Sequence, residues 1–176
     1  VELKVVTYLV SILLVGAVGL SSSTSVAAER HVHGEAEVEI SLEPSGRVSG
    51  QLRAAMDAFL PFEHVPKTDA QRKQLSQLRE NLRQVSFLLS ANAEAGCTQT
   101  SIQTESALFK DKAPSGHSDL ELQFSLQCAN PSALRQFSFD ILKRPGRLKK
   151  VELEFAGPKG QSKAILTPRS PVFQLP

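Results

Sequence analysis

The chain of 176 residues has no tryptophan, one tyrosine, one methionine and two cysteines. A core must therefore come from aliphatic side chains and the nine phenylalanines. The basic residues have no interleaved aromatics and form no recognised nucleic-acid module, which argues against a nucleic-acid partner. Catalytic signatures are missing as well. There is no G-x-S-x-G, no H-E-x-x-H and no glycine-rich phosphate loop, so the residues describe a binding protein and not an enzyme. Nor is there an excess of one charge: 20 Lys and Arg against 18 Asp and Glu leave +2, too little to select a polyanion.

Long apolar runs occur in one place only. Residues 5–20 read VVTYLVSILLVGAVGL and give way to serines and then Val26-Ala27-Ala28, the pattern of a secretory leader cleaved after Ala28. The run is shorter than the roughly 20 residues that span a bilayer. Its cationic start is weak, since Glu2 offsets Lys4, and an uncleaved anchor is the competing reading. Cleavage leaves 29–176 as a single domain of ordinary size with no stable membrane span. No cysteine precedes Cys97, which excludes a lipid-modified cysteine at the cleavage point.

Export places Cys97 and Cys128 in an oxidising compartment, where an isolated pair is most simply a disulfide. The loop of about 30 residues that it closes gives about 3 to 4 kcal/mol in the chain-entropy model. Thiol ligation of a metal is the weaker alternative, and the absence of a C-x-x-C spacing argues against a redox site.

Hydrophobic periodicity predicts an α+β domain. From 31 to 43, His31, His33, Glu35, Glu37 and Glu39 alternate with Val32, Gly34, Ala36, Val38 and Ile40, a half-buried strand. Pro44-Ser45-Gly46 then turns the chain into a return strand over 47–56. Two prolines make 59–67 an irregular connection. Thr68 and Gln71 form a capping box for one long amphipathic helix over 69–93, carrying Leu75, Leu78, Leu82, Val85 and Leu89 and closed near Gly96. Alternation beyond Cys97 predicts strands over 98–109 and 120–126, joined by a loop over 110–118. A helical turn is expected at 131–134, and strands around Phe137, Phe139 and Ile141, around Val151, Leu153 and Phe155, and over 162–166. The expected architecture is about seven mostly antiparallel strands with the one long helix packed on the sheet.

The chemistry concentrates in the histidines. Same-face residues two apart on a strand lie about 6.5 to 7 Å from each other, so His31 and His33, with Glu35, can reach one ion. A solvated strand edge is the alternative. Zinc takes four ligands, or three and a water, so His64, His117 or an acid must converge from elsewhere. His64 lies between stiffening prolines, where it is either a fixed ligand or a packing residue; His117 lies in a loop that could close on an ion or remain solvated. A mature chain starting Glu29-Arg30-His31 would also offer a planar four-nitrogen site suited to Cu(II) or Ni(II). Basic residues cluster at Lys143, Arg144, Arg147, Lys149 and Lys150 and along the helix. They suggest a competing role, a non-enzymatic envelope module that contacts an anionic partner, although a solvated face is the default.

Several segments together resemble the ZrgA family of zinc-regulated bacterial periplasmic proteins. They are His31-Val32-His33-Gly34, Phe62-Glu63-His64-Val65-Pro66-Lys67, Ala95-Gly96-Cys97-Thr98, Cys128-Ala129-Asn130-Pro131, Gly157-Pro158-Lys159-Gly160-Gln161-Ser162 and Leu166-Thr167-Pro168, in that order. The resemblance implies a periplasmic location, zinc binding through histidines, and an accessory role beside a zinc ABC importer or its binding protein. His31, His33 and His64 match the family's recurring histidines. Many members carry a long His/Asp-rich loop before the second cysteine; here it is the short segment 110–118 with His117 alone. A single low-capacity zinc site is the expectation, with His31 and His33 completed by His64 or His117 and Glu35 as an oxygen ligand.

Overall fold

The structure is a computed structural model that describes residues 33–110 and 118–176. The expected leader and its expected cleavage point, with His31 and His117, lie outside the described residues. None of the described helices is long and apolar enough to cross a membrane.

The expected first hairpin is present: β1 (Glu35–Leu42) pairs antiparallel with β2 (Arg47–Ala55), Leu42 opposite Val48 and Ala36 opposite Ala54. Its first strand starts later than the alternation predicts. His33 and Gly34 form a turn, and Gly34 has φ +74°, a left-handed conformation that breaks the period-two pattern before Glu35. His33 thus does not continue the face of Glu35.

The hairpin is the centre of a six-stranded sheet. β4 (Cys97–Glu105) and β5 (Asp119–Cys128) extend it on the β2 side; β7 (Lys150–Gly157) and β8 (Gly160–Leu166) extend it on the β1 side, in the order β4-β5-β2-β1-β7-β8. The β1–β7 pair is parallel and the other pairs of this sheet are antiparallel. Register puts apolar residues on one face. Ala36, Val38 and Ile40 align with Val151, Leu153 and Phe155 of β7, while Leu120, Leu122 and Leu126 of β5 align with Ala54, Leu52 and Val48. The other face exposes Glu37, Glu39, Glu121, Glu152 and Glu154.

The long helix is shorter than the periodicity predicts. The capping box at Thr68 and Gln71 starts α1 as expected, but α1 spans Asp69–Asn81 and is followed by a one-turn helix α2 (Val85–Leu88) and the short strand β3 (Ser90–Ala91). A straight helix over 69–93 would be roughly 37 Å long. Instead the Gln99 side chain accepts from Val85 N at 2.7 Å and donates to Arg83 O at 3.1 Å, satisfying backbone groups at the break. Leu82, Val85, Leu88 and Leu89 are all buried as a result. Gly96, in the left-handed region at φ 57°, closes a 3-10 turn over Ala93–Ala95 and not the long helix.

The strand expected through Phe137, Phe139 and Ile141 is also divided. β6 (Gln136–Ser138) ends where Asp140 accepts from Ser90 Oγ and Ser138 Oγ, and the chain turns into α3 (Asp140–Lys143). β6 pairs with β3 and with a terminal strand, β9 (Val172–Gln174), in a second, three-stranded sheet. Phe137, Phe139 and Phe173 from this layer are buried, and the Phe173 ring meets Phe155 of the main sheet at 5.3 Å between centroids. Among the described residues the result is α+β with nine strands in two sheets, against about seven expected. Cys97 and Cys128 face each other across β4 and β5 and form the expected disulfide.

Candidate metal centre

At the start of β1, three chain segments converge. His33 stands in the turn before the strand, Asp57 in a 3-10 turn (Met56–Ala58) that ends β2, and Glu63 in the proline-flanked connection that follows. One ligand atom from each lies within 4.8 Å of the other two. The His33 Nδ1 is 2.6 Å from Asp57 Oδ2, a charge-assisted hydrogen bond. The His33 side chain is 65% exposed and that of Asp57 only 10%, so the site is open above and closed below.

The local folding that assembles this site is legible. Gly34 O accepts from Lys149 N at 2.7 Å, which latches the 146–149 turn to the residue beside His33. A Cβ at Gly34 would come within 2.8 Å of Arg147 O, so only glycine permits this approach. Met56 N donates to Ser118 O at 2.7 Å and fixes the 3-10 turn that carries Asp57. Arg147 Nε donates to Asp57 O at 2.8 Å, and its guanidinium also stands 3.9 Å from Asp57 Oδ2.

Asp57 is otherwise under-satisfied. Its Oδ1 is buried and has no hydrogen-bond partner among the described residues. Leaving a buried acceptor unmade costs about 1 to 3 kcal/mol, more for a charged group. One imidazole and two carboxylates are a donor set that zinc accepts, with a fourth position left to another ligand.

The sequence-derived candidates divide as follows. His33 is in the cluster. Its expected strand neighbour Glu35 instead pairs with Lys150 Nζ on the exposed face of the sheet. His64 is exposed; its Nδ1 lies 2.9 Å from Val65 O and its ring packs against Phe62. The adjacent Glu63, and not His64, is the residue that joins His33. His31 and His117 are outside the described residues. Sequence reasoning missed Asp57 and Glu63. The available signal at Asp57 was a lone carboxylate inside the apolar run Ala54-Ala55-Met56-Asp57-Ala58-Phe59-Leu60.

The basic cluster also looks different in three dimensions. Lys143 pairs with Asp140, Arg144 lies over the Phe87 ring at 4.7 Å, Arg147 holds Asp57, Lys149 donates to Gly146 O, and Lys150 bridges Glu35 and Glu152. The two carboxylates raise the Lys150 pKa above its usual value by hydrogen bonding to the ammonium. These cations are engaged within the fold.

No curated protein matches the chain. A family model described as ZrgA family zinc uptake protein matches residues 30–175, and the chain belongs to that family.

Proposed function

We propose that this chain is a periplasmic, non-enzymatic accessory of zinc acquisition that holds one zinc ion at His33, Asp57 and Glu63. It then passes the ion to an ABC-type importer or to that importer's binding protein. The observation that carries the reading is Asp57, whose Oδ1 is buried and unpartnered, meeting an imidazole and a second carboxylate with one ligand atom from each within 4.8 Å of the others. An exposed histidine above a buried carboxylate suits a carrier, because the ion can enter and leave without the fold opening. Zinc uptake by the family supports the choice of ion. Copper and nickel draw no support from either the family or the trio.

Titration of the metal-free protein with zinc, followed by calorimetry, tests the site. One zinc per chain is expected, with His33→Ala and Asp57→Asn each weakening binding at least tenfold. Unchanged affinity in both variants would remove the site from consideration.

A further inference from the structure

The zinc reading leaves a coordination position open beside two cations whose hydrogen bonds within the fold go to backbone carbonyls. A depression of about 390 Å³ opens beside two of the three cluster residues, His33 and Asp57, and is also lined by Gly34, Gly146, Arg147 and Lys149. Arg147 spends its Nε on the Asp57 carbonyl, while its terminal nitrogen is 3.9 Å from Oδ2, beyond hydrogen-bond distance. A guanidinium has five N–H donors, so this one retains capacity for a further acceptor. Lys149 is bent over the same turn, its Nζ donating to Gly146 O at 2.8 Å. Lys149 N and Lys150 N both bond to Gly34 O, which holds the backbone of this turn beside His33.

Resting on the zinc site proposed above, we infer that a carboxylate from outside the chain completes the zinc coordination and is clamped by Arg147 and Lys149. Charge decides the class. Asp57 and Glu63 together neutralise Zn²⁺ and neutral His33 adds nothing, so the two rim cations remain without a counter-charge once the metal draws on Asp57. Water would leave that excess standing. A carboxylate offers one oxygen to zinc and one to the guanidinium, in the geometry that arginine recognises best. It also repeats the chemistry already in the depression, where the guanidinium faces the carboxylate of Asp57.

Cobalt(II) in place of zinc makes the site visible through its d–d absorption. Acetate titrated into the cobalt-saturated full chain should give a saturable spectral change. Saturated with cobalt, the Arg147→Gln, Lys149→Gln double variant should need at least tenfold more acetate. Acetyl-glutamyl amide, with its glutaminyl counterpart as control, identifies the source of the carboxylate. A tighter response than to acetate assigns an acidic side chain of a partner, and an equal response assigns a small free carboxylate. Failure of the wild-type chain to bind cobalt would overturn the underlying zinc reading. Cobalt binding with a spectrum indifferent to acetate, or with the same response in both proteins, would overturn this inference and leave the zinc site intact.

Discussion

At one end of strands β1, β2 and β5 stand the Cys97–Cys128 disulfide and the Pro44-Ser45-Gly46 turn; at the other stand His33, Asp57, Glu63 and Arg147. Around the disulfide, Cys128 N donates to Gly46 O, Ala129 N to Gly96 O, Asn130 N to Ala95 O and Gln127 Nε2 to Ser45 O. The other end keeps a buried carboxylate oxygen unsatisfied and an imidazole in solvent. Free energy is thus gained where nothing has to bind, and a cost is tolerated where a ligand can offset it.

The largest effect expected of this division is at the covalent end. Replacing Cys97 and Cys128 together by alanine should lower unfolding free energy by about 3 to 4 kcal/mol in denaturant titration. Zinc affinity of the fraction that remains folded should change less than twofold; a large loss would mean that the two ends are coupled. Next comes the ligand itself. Zinc at 100 times its Kd should raise stability by about 2.7 kcal/mol through binding the folded state alone. In Asp57→Asn, at the same zinc concentration, a site at least tenfold weaker should keep about 1.4 kcal/mol of that increment or less.

Gly34→Ala joins the two properties at one position. The left-handed backbone and the collision with Arg147 O should together cost about 2 kcal/mol, measured by thermal unfolding. Unlike the disulfide variant, this one should also weaken zinc binding, since it displaces the turn latched beside His33. The smallest effect lies at Asp140, where the chain leaves β6 of the second sheet and enters α3. Burial opposes ionisation of Asp140, but hydrogen bonds from Ser90, Lys143 and Ser138 outweigh it and hold the pKa below the usual carboxylate value. Its contribution to stability is therefore present above about pH 4 and lost as pH falls through the depressed value. Asp140→Asn should destabilise the protein at pH 7, and the deficit should shrink as pH falls below about 4, in parallel denaturant titrations.

Much of the fold was legible in the chain. Alternation in β1, β2, β5 and β7 marks the apolar face of the main sheet, the Thr68–Gln71 box marks the helix start, and the paired cysteines mark the disulfide. The end of α1 was not legible, because no glycine or proline stops the helix at Asn81. The break depends on the Gln99 side chain from β4, 14 residues beyond Val85 in sequence. The division of the strand near Phe139 likewise depends on Ser90 reaching Asp140 across 50 residues.

For the site, the sequence by itself determined that a histidine would stand at the front of the first strand, that the chain lacks catalytic signatures, and that it resembles a zinc-related family. Tertiary structure alone decided which residues stand beside that histidine. Period-two counting favoured Glu35, but the left-handed Gly34 interrupts the alternation. The end of β2 and the proline-flanked connection then deliver Asp57 and Glu63 to His33 instead. Spacing along a strand reports only local neighbours, whereas ligands for one ion come from separate segments that only the folded chain brings together.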